Sequence, residues 1–389
     1  MTSPSPPSTT MLSSPTTTVA PRPVQERSLL PDVLRGVALL GILCVNMQDF
    51  AAFSEWQQRG IDRAAQVLTD ILANGRFISL FAMLFGWGAA GLIRRHGPRL
   101  FLRRHLVLLL VGALHFVLVW HGDIISLYAV AGLSLLALAG RSERVLLGTA
   151  LVCGGSWLAD TLWSAAQSLS YGTLERSGTF PDLSAQATYP ALVAGRAAEF
   201  PGELWGGALY NGPWLIALFC LGAAAYRSGV LARPQEHVPL LQKLARWGTT
   251  LGLLLGMVLA WLNTRPDYAS SLFAIPVRMG GGLAGGLGYV GLIGLLTVQG
   301  RLGLLRPFAQ SGRIAMSNYL AQSLVMTTVF YPYAGAQWGR WGAAATLGLA
   351  LAFGLLQVWL SGLIVRRSGS GPLERLVRRL VYAVPAARK

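Results

Sequence analysis

Histidine and aspartate residues cluster in the segment HFVLVWHGDIISLY, which begins at His115. His115 lies in an apolar run, and His121 and Asp123 lie at the turn that follows it. A carboxylate beside an imidazole fixes the histidine tautomer and raises its basicity, which a general base needs. The segment therefore predicts that His115, His121 and Asp123 are catalytic. The alternative is that each histidine only makes a hydrogen bond to a neighbouring helix.

A second polar set lies on the first apolar segment, where Asp32, Arg35, Asn46 and Asp49 interrupt an otherwise hydrophobic run. Arg35 and Asn46 are eleven residues apart, about three helical turns, so they share a helix face. Arg35, Asn46 and Asp49 are predicted to bind substrate. Two structural alternatives remain open: a local ion pair between Asp32 and Arg35, and a helix–helix hydrogen bond at Asn46.

Asn318 and Gln322 form a third polar pair within the segment QSGRIAMSNYLAQSL. They are four residues apart and share a helix face, so they are predicted to bind substrate together. Structural hydrogen bonding is again the alternative.

The three cysteines are far apart, each within an apolar stretch, so the sequence predicts neither a metal site nor a disulfide.

Apolar helices must position these residues. The chain has 389 residues, of which 53% are hydrophobic and 12% are charged. A soluble domain carries about 25% charged residues, so this composition excludes an ordinary soluble protein. It predicts an all-α, polytopic transmembrane bundle of about ten spans. The predicted spans are 32–52, 76–93, 105–121, 123–140, 146–168, 205–226, 247–263, 273–298, 311–332 and 341–364.

The basic residues predict the orientation of these spans. The formal net charge is +16, and nearly all of the cations are arginine. If both termini lie in the cytoplasm, most of the cations fall in cytoplasmic segments, which is the usual bias. The basic charge is then a topology signal and a contact surface for anionic lipid head groups, and no nucleic-acid partner is predicted.

Three regions follow from the composition. Residues 1–28 are rich in Ser, Thr and Pro and are predicted to form a disordered cytoplasmic tail. Residues 29–365 form the transmembrane bundle, and residues 366–389 form a basic cytoplasmic segment. The long external segment 169–204 is either a lid over a site or a simple connection.

Five ordered motifs resemble the YeiB-like family of bacterial membrane proteins, also called domain of unknown function 418. They are LPDVLRGVALLGILCVNM, NGRFISLFAMLFGWG, RRHLVLLLVGALHFVLVWHGDIISLYAVAGL, GRIAMSNYLAQS and GPLERLVRRLVY. The resemblance implies a multi-pass protein of the bacterial plasma membrane.

The motif D-x-x-R-G at Asp32–Gly36 is also similar to that of membrane acyltransferases that transfer acyl groups from coenzyme A to sugars. In one branch of those enzymes the arginine is followed eleven positions later by a catalytic histidine. Arg35 matches the arginine, but the later position is Asn46, so the base must come from elsewhere. His115 is then the first candidate.

Two functions are predicted. The first is an acyltransferase that uses acyl-coenzyme A as a co-substrate, without a bound cofactor, and modifies an extracytoplasmic small molecule, lipid or sugar. The second is a transporter or exporter of a small polar or amphipathic solute. The sequence names neither the acyl group nor the acceptor, and it does not give the oligomeric state.

Overall fold

The computed structural model describes residues 28–171, 174–176 and 188–382, so the predicted tail lies almost wholly outside it. Over these residues the secondary structure is helical, apart from an isolated β-bridge between Glu175 and Asp267. In chain order the α-helices are α1 (Leu30–Ala51), α2 (Gly60–Leu72), α3 (Arg76–Leu118), α4 (Ile125–Ala131), α5 (Leu135–Leu138), α6 (Glu143–Ser168), α7 (Tyr189–Ser228), α8 (Val238–Lys243), α9 (Thr249–Asn263), α10 (Tyr268–Val298), α11 (Phe308–Arg313), α12 (Ala315–Phe330), α13 (Ala343–Ser368) and α14 (Pro372–Tyr382).

Within the described residues, seven helical segments are long and apolar enough to cross a membrane. Large apolar side chains also stand exposed on several helices, including Leu106 on α3, Leu151 on α6, Leu209 on α7 and Trp359 on α13. Apolar patches of this extent are unusual on a soluble protein, whereas lipid would cover them. The predicted all-helical architecture with several apolar spans is confirmed. The count of ten spans and the orientation remain predictions.

Helix α3 is two antiparallel arms rather than one rod. Gly97 has φ 77° and ψ 175°, a backbone conformation outside the helical region, and Pro98 follows it. The rings of Phe85 and His105 lie 5.7 Å apart. In a straight helix, residues twenty positions apart would be separated by about 30 Å. The chain therefore folds back at Gly97, and each arm has the length of a span.

The largest difference from the predicted bounds is in α7, which begins at Tyr189 although the predicted span begins at residue 205. Much of the predicted external segment 169–204 is thus helical. Pro201 and Pro213 lie inside this helix. A proline removes one backbone hydrogen bond and tends to kink a helix, but in a membrane bundle neighbouring helices and side chains compensate.

Helix α1 crosses the middle of the bundle and packs against α3, α11, α12 and α13. Its contact with α11 depends on two glycines. A Cβ atom on Gly36 would collide with the Phe308 carbonyl oxygen, and one on Gly312 would collide with the Asp32 carbonyl oxygen. Small residues let helix backbones approach closely in membranes. This contact fixes α1 beside the start of α12.

A second break precedes α12. Ile314 has φ −118° and ψ 39°, which ends α11 and lets α12 begin in a new direction. The C-terminal helix α14 packs beneath this point, where Val377 and Val381 join Val111 of α3 in an apolar cluster. The predicted basic segment 366–389 therefore includes a folded amphipathic helix, and residues 383–389 lie outside the described part of the chain.

The bundle has two chemically different ends. Arg35, Arg95, Arg104 and Arg313 gather around a cavity at the end where α1 and α12 begin, here called the arginine-rich end. Asp49 and His121 lie at the opposite end, where α1 finishes. Arg35 and Asp49 are fourteen residues apart on α1, about 21 Å along its axis.

Candidate functional site

A buried histidine–aspartate pair lies between the two ends. The Nδ1 atom of His115 is 2.9 Å from Oδ1 of Asp123, and neither side chain is exposed. The other carboxylate oxygen accepts hydrogen bonds from the Ser126 backbone N–H at 2.8 Å and from its hydroxyl at 2.6 Å. These contacts orient Asp123 towards His115.

The far nitrogen of His115, Nε2, has no hydrogen-bond partner in the described part of the chain. An ionised carboxylate is only an acceptor, so Nδ1 must carry the proton and donate it to Asp123. Nε2 then keeps its lone pair. A buried imidazole with this tautomer can accept a proton from a substrate hydroxyl or amine.

The local fold brings the two residues together. The second arm of α3 carries His115, and the chain then turns back so that Asp123 precedes α4. Gly112, one turn before His115, makes the close approach possible. A Cβ atom there would lie 2.7 Å from Asp123 Oδ2 and would also collide with the Ser126 nitrogen. Gly112 was not predicted from the sequence, although a glycine within a long apolar helix can indicate that another segment approaches closely.

A second histidine–aspartate pair lies nearer the surface. His121 Nε2 is 3.2 Å from Asp49 Oδ2, and the side chains are 45% and 30% exposed. The Tyr331 hydroxyl is 3.4 Å from His121 Nδ1. The guanidinium of Arg196 stacks over the Tyr331 ring at 5.3 Å. Tyr331 and Arg196 were missed by sequence reasoning because α12 and α7 bring them in from distant segments.

Two aromatic side chains enclose His115. The Trp120 ring lies 6.4 Å from the His115 ring and 6.0 Å from the His121 ring. The Tyr319 ring lies 5.3 Å from His115, and its hydroxyl donates to the Gly122 carbonyl oxygen at 3.0 Å. Both aromatic side chains are buried. Because the imidazole itself is buried, a substrate can reach Nε2 only after a neighbouring side chain moves.

Tyr319 also lines the cavity at the arginine-rich end, which has a volume of about 360 Å³. This volume lies within the range of about 300–1,000 Å³ that is typical of ligand pockets. Arg35 lines the cavity as well, and its Nη1 is 3.1 Å from Asp32 Oδ1. The predicted local ion pair is thus present, and the same arginine belongs to the cavity wall.

The remaining predicted residues have different surroundings. The amide nitrogen of Asn318 donates to the hydroxyls of Ser311 and Ser361, and the amide nitrogen of Gln322 donates to Gln357 Oε1 at 2.8 Å. These bonds join α12 to α11 and α13, and the residues that make them are not among those that line the cavity. They favour the structural alternative for this pair, and substrate binding by them stays a prediction.

Asn46 is half-buried, and its side chain has no hydrogen bond to another described residue. It lies eleven residues beyond Arg35 on α1, just as His115 lies eleven residues beyond Arg104 on α3. Eleven residues of helix span about 16 Å, so Asn46 and His115 lie at similar depth.

Within the described ranges, no group of three or more His, Cys, Asp or Glu is arranged to hold a metal ion.

Fold and site together define a helical protein with several apolar spans that holds a buried histidine–aspartate pair behind a basic cavity. A family model described as "Protein of unknown function (DUF418)" matches residues 225–384. The chain is 29% identical to uncharacterized protein YxaH of Bacillus subtilis, over 95% of this chain and 98% of the relative. It is also 29% identical to uncharacterized protein YeiB of Escherichia coli, over 94% of this chain and 99% of the relative. The predicted resemblance to the YeiB-like DUF418 family is confirmed by these matches.

Proposed function

We propose that the protein is a bacterial plasma-membrane acyltransferase that moves an acyl group from a coenzyme A thioester to an extracytoplasmic hydroxyl or amine. The buried His115–Asp123 pair, with its unpartnered Nε2 atom, is the observation that carries this proposal. The apolar spans support an integral membrane protein, and the family-model match names no reaction.

In the proposed reaction, Nε2 of His115 removes the proton from the acceptor hydroxyl or amine while the acceptor oxygen or nitrogen attacks the thioester carbonyl carbon. A new C–O or C–N bond forms and the C–S bond breaks. The coenzyme A thiolate leaves and takes the proton from the His115 imidazolium. Asp123 stabilises the transient positive charge on His115 throughout.

The two ends of the bundle suit the two substrates. Arginine binds phosphate groups well, so the donor enters at the arginine-rich end, which the distribution of basic residues predicts to be cytoplasmic. The acceptor binds near Asp49 and His121 at the opposite end. Tyr319 moves to admit the thioester, and Trp120 moves to admit the acceptor. Asn46, at the depth of His115, is positioned to donate a hydrogen bond to the carbonyl oxygen.

The test is transfer of a radiolabelled acetyl group from acetyl-coenzyme A in membranes that contain the protein. We expect label in the lipid or glycan fraction with the wild type, and a loss of about 10²–10⁴-fold with His115→Gln, the typical contribution of a general base. His96→Gln changes an exposed histidine and is the matched control. A His115→Gln variant with wild-type transfer, or no transfer above protein-free membranes, would refute the proposal.

A further inference from the structure

The cavity at the arginine-rich end has an excess of positive charge. Arg95, Arg104 and Arg313 line it with exposed side chains. Within the described part of the chain, none of the three pairs with a carboxylate: Arg95 donates to the Gly91 carbonyl oxygen of its own helix, and Arg313 is 3.4 Å from the Gln310 amide oxygen. Three such cations around one cavity favour a ligand with several negative charges.

The acidic residue among those that line the cavity, Glu374, does not neutralise these arginines. Its Oε1 accepts the backbone N–H groups of Met316 and Ser317 at 2.8 and 3.1 Å. Its Oε2 accepts the Ser317 hydroxyl at 2.5 Å. The carboxylate is therefore occupied with the first turn of α12, and the arginines remain available to a ligand.

The deeper walls of the cavity are mostly apolar and also include the buried His105. They come from both arms of α3, from the start of α4 and from α12, and they end at the buried rings of Tyr128 and Tyr319. The apolar lining residues include Phe81, Phe85, Leu92, Leu108, Ile125 and Met316. A ligand with charge at one end and an uncharged, largely apolar part at the other would match both halves of the cavity.

We infer that this cavity binds a phosphate-bearing amphipathic molecule, with the phosphate oxygens at Arg95, Arg104 and Arg313 and the uncharged part directed towards Tyr319. Guanidinium groups match phosphate geometry bidentately, and several together select a polyanion over a simple carboxylate. Coenzyme A thioesters and anionic phospholipids share this chemistry. The inference rests on the proposed function only for the statement that the bound molecule is the acyl donor.

Binding is measured by calorimetry on the full-length, detergent-purified protein with three separate probes: acetyl-coenzyme A, phosphatidic acid and inorganic phosphate. We expect acetyl-coenzyme A or phosphatidic acid to bind, and inorganic phosphate to bind at least about tenfold more weakly because it lacks the apolar part. The probe that binds more tightly identifies the source of the ligand as soluble or lipid. Equal binding of inorganic phosphate would overturn the amphipathic inference.

Two kinds of variant locate the bound molecule. Arg104→Gln and Arg313→Gln should each weaken binding about tenfold, which matches the loss of a charge-assisted hydrogen bond. Arg94→Gln is the matched control, because Arg94 is exposed beside Arg95 but does not line the cavity. The melting temperature of each unliganded variant, compared with that of the wild type, separates lost binding from lost folding.

Gly88 offers an independent variant that leaves every arginine in place. It lines the cavity, and a Cβ atom there meets no atom within 4 Å, so Gly88→Phe fills the cavity without a clash near the backbone. Gly148→Phe is its control, since Gly148 is equally open but lies on α6. Gly88→Phe should abolish binding and Gly148→Phe should not.

The inference is wrong if neither amphipathic probe binds, or if binding survives both the arginine variants and Gly88→Phe. His115→Gln separates this result from the proposed reaction. The variant should bind the probes like the wild type and fail only in transfer. If the wild-type protein binds the probes but shows no transfer, the proposed function is wrong and the binding site remains.

Discussion

The carboxylate of Asp123 determines which nitrogen of His115 carries the proton. One oxygen accepts from His115 Nδ1, and the other is held by the two donors of Ser126. With all of these contacts in place, the carboxylate has little freedom to rotate. The arrangement presents Nε2 as the basic atom, and the burial of both side chains excludes water that would compete for it.

Asp123→Asn tests this assignment. An asparagine can still accept from Ser126, but its NH₂ group would donate to His115 Nδ1 and move the histidine proton to Nε2. We expect acyl transfer to fall by about 10²–10⁴-fold, the usual size of a lost general-base contribution, with little change in melting temperature.

Asp160→Asn, on the exposed face of α6, controls for the general effect of removing a carboxylate. The measurement is the initial rate of label transfer together with thermal unfolding of both variants. Full activity in Asp123→Asn would contradict the tautomer assignment, because the variant cannot hold Nε2 unprotonated in the same way.

Sequence reasoning found His115 and Asp123 because the two residues are close in the chain, on either side of a turn. It made His115 the first candidate, but it could not predict the burial that distinguishes His115 from His121, since that burial depends on Trp120 and Tyr319. It also could not predict the partners of Asn318 and Gln322. Those partners, Ser361 and Gln357, lie on α13, a separate helix whose contact with α12 no local pattern reveals.

At the scale of elements, the approach of α4 to the second arm of α3 builds the site. Gly112→Ala should disturb this approach, because the added methyl group would press on Ser126 and Asp123. Overpacking of this kind costs about 1–3 kcal/mol. We expect a lower melting temperature and a loss of transfer in the same variant.

Gly148→Ala is the matched control for Gly112→Ala, because open space surrounds Gly148 on its own helix and its variant should behave as the wild type. The comparison uses thermal unfolding in detergent and the transfer assay. If Gly112→Ala keeps both stability and activity, the close contact between α3 and α4 is not needed to hold the His115–Asp123 pair in place.

Helix α14 is coupled to the cavity through Glu374, which caps the first turn of α12. Glu374→Gln removes a negative charge from a helix N-terminus, where such a charge contributes about 0.3–1 kcal/mol. The same change removes a negative charge from a basic cavity. We therefore expect a lower melting temperature and, in calorimetry, tighter binding of the phosphate-bearing probe.

Glu203→Gln, at an exposed position of α7, should change neither quantity. In Glu374→Gln the melting temperature should fall while binding becomes tighter, and a general loss of folding would not produce both changes. Weaker binding in Glu374→Gln would mean that Glu374 holds the ligand directly, contrary to the occupied carboxylate seen here.

Hydrophobic patterning predicted where helices lie but not how they end. The patterning could not show that α7 begins sixteen residues early, because a helix that crosses Pro201 depends on packing rather than on local preference. It also missed the break at Ile314, which carries no glycine or proline. That break sets the direction of α12 and so the position of Tyr319 beside His115.

For the molecule as a whole, the proposed reaction requires the arginine-rich end to lie in the cytoplasm. In a protein whose three cysteines are replaced by alanine, Ala334→Cys should react with a membrane-impermeant maleimide added outside intact cells. Arg99→Cys and Gln235→Cys should react only after the cells are opened. All three positions are exposed, so differences in labelling report membrane side rather than burial.

Labelling of position 99 or 235 from outside would show that the protein has the opposite orientation. The donor cavity would then face away from the cytoplasmic supply of coenzyme A thioesters. Labelling of the opened cells is the internal control, because every variant should then react to a similar extent.

In the proposed reaction, His115 lies between a donor cavity that opens on one side of the membrane and an acceptor on the other. The most direct measurement adds radiolabelled acetyl-coenzyme A to the outside of sealed vesicles of known orientation. Inside-out vesicles expose the arginine-rich end and should transfer label to the lumenal acceptor. Right-side-out vesicles should not, and His115→Gln should be inactive in both. Equal transfer in right-side-out vesicles, or full transfer by His115→Gln, would contradict the account.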